Sequence, residues 1–150
     1  MNLEHAIAIA TEAHRGQQDK AGAPYILHPL RVMLALDGTV DRIVGVLHDV
    51  VEDGGSDWTF ERLTAEGFTL EVIDALRLVT KRPEDQGDDL DTYLRFVRRT
   101  LANPIARRVK LADIRDNLDV TRMQAVTERD ANRLNKYLAA MLLLMEERDG

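Results

Sequence analysis

Apolar side chains recur with the period of an α-helix along most of the chain. The spacing i, i+3, i+4, i+7 is found near residues 3–10, 90–101 and 134–145, and it gathers the apolar side chains on one face of a helix. No four-residue stretch alternates apolar and polar positions cleanly enough to predict a strand. The pattern therefore predicts an all-α protein, a bundle of about seven helices joined by short loops.

Residues typical of helix starts mark where two of the predicted helices begin. Asn103 followed by Pro104 predicts a helix start, because asparagine caps the first N–H groups and proline needs no donor at the first helical position. Thr127 with Asp130 resembles a capping box that opens the last helix. A chain of 150 residues is long enough to bury one core, and we expect a single domain over residues 1–150.

Composition narrows the classes of function. The chain has no cysteine, which excludes disulfides, thiolate metal sites and cysteine nucleophiles. A net charge of −6 and an aromatic content of 5% argue against nucleic-acid binding. The N-terminus lacks the basic residues of a signal peptide, and no apolar run approaches the roughly 20 residues of a membrane span. We therefore expect a soluble, cytoplasmic protein that binds neither nucleic acid nor a membrane.

Acidic residues crowd one end of the segment VLHDVVEDGG, residues 46–55. Its apolar residues predict a buried helix that ends at the glycine pair. In such a helix His48 and Glu52 are four apart, as are Asp49 and Asp53, so the four side chains lie on neighbouring faces. Carboxylates at a helix C-terminus oppose the helix dipole. The segment alone leaves two interpretations equally open: solvated acids, or a cation or acid–base site.

Two distant residues can complete a metal site. His28 precedes Pro29, which favours extended backbone at the histidine, just before a helix starts. Asp113 lies in VKLADIRDNLD, a mostly buried helix. Taken alone, a loop histidine is more often structural, and a helical aspartate usually pairs with a base such as Lys110. Together with His48 and Asp49, these two residues supply nitrogen and oxygen donors without sulfur. Such donors suit Mn²⁺, Fe²⁺ or Zn²⁺ better than Mg²⁺ or Ca²⁺.

The order of these residues resembles the HD superfamily of metal-dependent phosphohydrolases. The stretches AHRGQQDKAGAPYILHPLRV, VLHDVVEDG, LVTK and VKLADIRDNLD are similar to the hydrolase domain of the RelA/SpoT family and to its single-domain relatives, the small alarmone hydrolases. The similarity runs from about Ala13 to Leu118. It implies an enzyme that removes the 3′-pyrophosphate from guanosine tetra- or pentaphosphate, a small anionic nucleotide.

The resemblance also implies roles for the matching positions. The metal would be Mn²⁺ first, with Fe²⁺ or Zn²⁺ as alternatives, and an acidic pair would position and activate the attacking water. Lys20 is a further candidate because an anionic substrate needs a local cluster of bases. The expected residues are His28, His48, Asp49 and Asp113 for the metal, Glu52 and Asp53 for catalysis, and Lys20, Lys81, Lys110 and Asn117 for the substrate.

Two departures from the family pattern leave the substrate open. Asp19 stands where the family has an arginine that contacts guanine, and aspartate supplies neither the stacking surface nor the positive charge. Asp116 precedes Asn117 where the family usually has histidine. The alternatives are an HD phosphohydrolase for a different nucleotide or phosphate ester, and a non-catalytic module that senses a nucleotide.

The C-terminal sequence adds two expectations about organisation. No synthetase or regulatory domain follows the similar region, so a stand-alone hydrolase is expected. The apolar residues Leu142 to Met145 exceed what one buried helix face needs, which suggests a homodimer contact through the last helix.

Overall fold

The computed structural model describes residues 2–146, and these residues form an all-α fold, as predicted. Within that range the only β-type pairing is one isolated antiparallel bridge between Gln18 and Pro24. No helix in the described range combines the length and apolar character needed to cross a bilayer. The α-helices are α1 (Leu3–Ala13), α2 (Leu27–Leu34), α3 (Thr39–Leu47), α4 (Val50–Asp53), α5 (Phe60–Ala65), α6 (Leu70–Val79), α7 (Leu90–Arg99), α8 (Pro104–Asn117) and α9 (Glu128–Glu146), with short 3₁₀ turns at Pro83–Asp85, Thr100–Ala102 and Val120–Arg122.

The predicted caps are present at the starts of α8 and α9. The Asn103 side chain accepts hydrogen bonds from two backbone N–H groups in the first turn of α8, and Pro104 is the first helical residue. Thr127 Oγ1 accepts from the backbone N–H of Asp130, whose carboxylate accepts from the backbone N–H of Thr127. Both local predictions are confirmed, because side-chain acceptors here satisfy N–H groups that lack helical partners.

Helix α8 joins two hydrophobic clusters. Val109 and Ala112 belong to the larger cluster, which also contains residues of α1, α2, α3 and α6. Ile114 belongs to the smaller cluster, with residues of α7 and α9. Asp113 lies between these contacts, so packing on both sides fixes its position. In α9, Leu142 and Met145 are exposed, and the dimer contact expected there stays a prediction.

The helix predicted to run to Gly54 is divided, which corrects the sequence-based expectation. Helix α3 ends at Leu47, Asp49 has φ −105° and ψ 2°, and α4 starts at Val50. The Nδ1 atom of His48 lies 2.6 Å from the carbonyl oxygen of Gly45, in the last turn of α3. Because of this break, the acidic residues belong to a separate short helix instead of the C-terminus of a long one.

His28 also differs from its predicted conformation. It lies in the first turn of α2 instead of an extended segment, and its backbone N–H bonds the Tyr25 carbonyl oxygen at 3.0 Å. Pro29 is compatible with this helix because N–H groups of a first turn have no intrahelical acceptor. The local bias of a residue before proline is overridden by the packing of α2, where His28 and Pro29 are both buried.

Candidate metal centre

Four side chains from three parts of the chain converge on one point. His28 comes from α2, His48 and Asp49 from the break between α3 and α4, and Asp113 from α8. The donor atoms of His28, His48 and Asp49 all lie within 4.8 Å of one another. Asp113 Oδ1 lies 2.9 Å from Nε2 of His28 and 3.5 Å from Nε2 of His48. The structure therefore brings together all four residues expected to bind metal.

Both imidazoles present the same nitrogen to this point. His28 Nδ1 lies 2.7 Å from an Asp116 oxygen, and His48 Nδ1 bonds the Gly45 carbonyl. Each Nδ1 therefore carries a proton as donor, which leaves Nε2 as the ring nitrogen that would bind a metal. Despite burial, the neighbouring carboxylates raise the pKa of both imidazoles, so metal binding would displace a proton from Nε2. The Nε2 atom of His48 is buried and has no hydrogen-bond partner among the described residues, although Asp49 Oδ2 is 3.1 Å away. This donor set fits a divalent transition metal.

The electrostatics of the two buried aspartates favour their ionised forms. Burial alone would raise the pKa of Asp49, but His48 beside it holds that pKa down, at about 2. Burial likewise opposes ionisation of Asp113, but Lys110 and His48 bring its pKa well below the usual range. Carboxylates that stay charged at neutral pH are competent metal ligands.

Glu52 and Asp53 lie beside Asp49, with carboxylate oxygens of all three residues within 4.8 Å of one another. Glu52 Oε1 accepts from the backbone N–H of Lys81 at 2.7 Å, and the Asp53 carbonyl accepts from the Gln17 side chain at 2.7 Å. Desolvation in the cleft and the charge of Asp49 raise the pKa of both carboxyls, that of Asp53 to about 6. A carboxyl with a pKa near 6 can accept and release a proton near neutral pH.

A cavity of about 820 Å³ opens above these residues. Its volume lies within the range of pockets that hold small molecules. The expected substrate residues Lys20, Lys81, Lys110 and Asn117 all line it. Arg133 of α9 lines the same cavity as Lys20. Burial and the nearby cations Arg133 and Arg129 lower the pKa of Lys20.

Lys110 differs from the other expected substrate residues because its charge is already engaged. Its Nζ atom lies 2.9 Å from Asp113 Oδ2, and the residue is buried. Asn117 also contacts Asp113, through Nδ2 to Oδ1 at 3.2 Å. Lys110 therefore compensates the charge of Asp113, as a helical aspartate and a neighbouring base commonly do.

Asp19 lines the same cavity but is tied to its own loop. Its Oδ1 atom accepts backbone hydrogen bonds from Ala21 and Ala23, both at 2.9 Å. Between them Gly22 has φ +86°, a conformation that favours glycine. The carboxylate thus stabilises a tight turn at the position where the family resemblance places a guanine-contacting arginine.

Sequence reasoning missed several residues that hold the centre in place. Asp116 accepts hydrogen bonds from His28 and Arg31. The Tyr25 hydroxyl donates to Asp49. The Gln17 side chain bonds both the His14 ring and the Asp53 carbonyl at the end of α4. In the sequence Asp116 stands out only as a departure from the family pattern. Helical spacing offered a signal for Arg31, three residues after His28 on the same face, but no sequence signal pairs it with α8.

No family model matches the chain. A guanosine-3′,5′-bis(diphosphate) 3′-pyrophosphohydrolase of Aquifex aeolicus is 33% identical over 122 residues, covering 77% of this chain and 17% of that protein. A protein of the same description from Spiroplasma citri is 37% identical over 125 residues, covering 77% and 16%. The chain belongs to the RelA/SpoT-like hydrolase domains.

The solved structures agree on the fold of this RelA/SpoT-like domain. A metazoan orthologue of SpoT, described as hydrolysing ppGpp, superposes with a TM-score of 0.73 at 22% identity, covering 95% of this chain and 84% of that one. The chain spans less than a fifth of the length of the two bacterial relatives. The family and the all-α fold expected from the motifs are confirmed, while the roles of individual RelA/SpoT-like site residues stay predictions.

Proposed function

We propose that this RelA/SpoT-like domain is a metal-dependent phosphohydrolase that acts on a nucleotide, with guanosine 3′,5′-bis(diphosphate) as the first substrate to test. The convergence of two imidazole and two carboxylate donors beside a second acidic pair carries the proposal. The relatives named for this 3′-pyrophosphohydrolase reaction support the choice of substrate.

The metal would be held by His28, His48, Asp49 and Asp113. Two imidazole nitrogens and two carboxylates suit Mn²⁺, Fe²⁺ or Zn²⁺, and the resemblance to the family puts Mn²⁺ first. A bound divalent ion supplies positive charge that acidifies water and polarises a phosphoryl oxygen. Hydrogen bonds to the opposite ring nitrogens keep both imidazoles oriented for this task.

Glu52 and Asp53 would orient the attacking water and accept its proton. Both carboxylates reach solvent in the cavity, and the raised pKa of Asp53 suits a group that exchanges a proton near neutral pH. Glu52 accepts a hydrogen bond from the Lys81 backbone N–H, and the Asp53 carbonyl accepts one from the Gln17 side chain. These two hydrogen bonds limit the movement of the acidic pair. General acid–base help of this kind accelerates reactions by about 100-fold or more.

Lys20, Lys81 and Asn117 would contact the substrate. No ion-pair partner of the Lys20 or Lys81 ammonium group is found within residues 2–146, so these groups are available to phosphate. Lys110 would act indirectly, by balancing the charge of Asp113. These cations share the cavity lining with a larger number of carboxylates, so the bound metal ion would have to supply part of the positive charge that an anionic nucleotide needs.

Asp19 favours a second candidate, the same chemistry on another nucleotide or phosphate ester. Its carboxylate holds the turn at residues 19–23, so it offers no planar cation for a guanine ring. A wider nucleotide panel therefore belongs in the assay, with guanosine tetraphosphate as one member.

The test combines metal analysis with turnover. The purified protein should bind about one Mn²⁺ and release pyrophosphate or phosphate from one panel member. Glu52→Gln keeps an acceptor for the Lys81 N–H but cannot take a proton, so we expect turnover to fall about 100-fold or more with Mn²⁺ affinity retained. Absence of transition-metal binding, or of Mn²⁺-dependent turnover across the panel, would refute the proposal. Tight nucleotide binding without turnover, unchanged in the Glu52 variant, would indicate a sensing module instead.

A further inference from the structure

Asp116 and Arg31 form a half-buried ion pair behind the candidate metal ligand His28. Asp116 Oδ2 lies 2.7 Å from His28 Nδ1. The same carboxylate receives two hydrogen bonds from Arg31, Nε to Oδ1 at 2.7 Å and Nη2 to Oδ2 at 3.1 Å. The Asp116 side chain is only 10% exposed, so its charge is shielded from water and matched by the guanidinium group.

This geometry fixes the proton on Nδ1 and the plane of one imidazole. Asp116 can only accept a hydrogen bond, so His28 Nδ1 must carry a proton, and Nε2 is directed at Asp113. The fork of Arg31 in turn fixes the carboxylate, because two parallel N–H donors define its plane. His48 has no such carboxylate and uses the Gly45 carbonyl instead.

We propose that Asp116, clamped by Arg31, is the positioning residue that gives His28 its affinity for the metal. This inference rests on the proposed function, because it assumes that His28 is a ligand. Asp116 acts through His28 and does not itself bind the metal. Arg122 adds a second, longer ion pair, with Nη1 at 3.5 Å from the Asp116 oxygen that Arg31 Nε contacts at 2.7 Å. The residue usual in the family at this position, histidine, would carry no negative charge here.

The fold provides a matched control pair. Asp41 on α3 is buried and receives two hydrogen bonds from Arg108, Nε at 2.6 Å and Nη2 at 3.0 Å. It therefore resembles Asp116 in burial and in its arginine fork, but no histidine contact to Asp41 is found among the described residues. Removing either carboxylate costs the fold one partly exposed ion pair with arginine, and only Asp116 is linked to the metal site.

The experiment is titration of the metal-free full chain with Mn²⁺ by calorimetry. Asp116→Ala should weaken Mn²⁺ binding about 10- to 100-fold, Asp116→Asn should lie between it and the unaltered protein, and Asp41→Ala should bind Mn²⁺ as the unaltered protein does. Nitrogen NMR of the histidine rings gives an independent readout: His28 Nδ1–H should lose its hydrogen-bonded signal in Asp116→Ala and keep it in Asp41→Ala.

The outcomes separate this inference from the proposed function. If the unaltered protein binds no Mn²⁺, the metal site itself is refuted. If it binds Mn²⁺ and both Asp116 variants bind within about twofold of it, with the His28 Nδ1–H signal unchanged in Asp116→Ala, only the positioning role is refuted. Should Asp116→Ala fail to fold, Asp116→Asn and Arg31→Gln decide the question, because each keeps a polar group of similar size while removing the charged fork.

Discussion

Single side chains in this site have protonation states set by their neighbours. Asp53 is the clearest case, because desolvation and the charges of Asp49 and Glu52 raise its pKa to about 6 from 3.8. A carboxyl whose pKa is raised on folding binds more protons in the folded than in the unfolded state between about pH 4 and 6. It therefore destabilises the metal-free protein as pH rises through 6.

Removing the destabilising charge of Asp53 gives the first prediction. At pH 7, Asp53→Asn should raise the Tm of the metal-free protein, and the difference should shrink as the pH is lowered to 5, where the native carboxyl is largely protonated. Scanning calorimetry at the two pH values measures it. Asp74→Asn, at an exposed aspartate on α6, controls for net charge. An equal or lower Tm for the Asp53 variant at pH 7 would contradict this account.

At the scale of helices, the sequence predicted the elements better than their junctions. The fold class, the caps of α8 and α9 and the family were all readable from spacing and motifs. The break at His48 and Asp49 was not, because apolar spacing reports which faces are buried and continues unchanged across the break. The Asp116 and Arg31 support was also missed, since it joins residues 85 apart in sequence.

The short helix α4 depends on a glycine at its end, which gives a second prediction. A Cβ atom at Gly54 would lie 2.3 Å from the Val50 carbonyl oxygen and 3.0 Å from both Ala13 Cβ and Trp58 Cδ1. Gly54→Ala should therefore cost about 1–3 kcal/mol of stability through overpacking, and it should lower turnover because the acidic pair precedes this residue. Denaturant unfolding and the hydrolysis assay measure the two effects.

A matched variant separates loss of stability from displacement of the acidic pair. Asn103→Ala removes the cap of α8, at a cost of about 1 kcal/mol, and Asn103 lies ten positions before Asp113. It should reduce stability and leave turnover near that of the unaltered protein below the unfolding transition. Equal losses of turnover in both variants would show that Gly54 acts through global stability alone.

At the scale of the whole molecule, the candidate ligands join elements that are distant in sequence. His28, His48 and Asp49 lie near the larger hydrophobic cluster, while α8, which carries Asp113, contributes to both clusters. An ion that binds only the folded state stabilises it by about 2.7 kcal/mol when present at 100 times its Kd. For a domain of this size each kcal/mol raises the Tm by about 2–4 °C.

The third prediction is a metal-dependent Tm. Mn²⁺ at saturating concentration should raise the Tm of the chelator-treated protein by about 5–10 °C, and His48→Ala should abolish most of the increase. His5→Ala is the control, because His5 contacts Glu66, outside the site. A shift of the same size in the His48 variant would show that Mn²⁺ stabilises the protein elsewhere.

The turn held by Asp19 has a consequence for how substrate preference can evolve. Replacing Asp19 with arginine would add a cation to the cavity and at the same time remove the acceptor for two backbone N–H groups. The single change therefore gains a base contact only by loosening the loop that must present it. A lineage moving between the two residues would need a compensating substitution in residues 20–24, so position 19 is epistatic with its own loop.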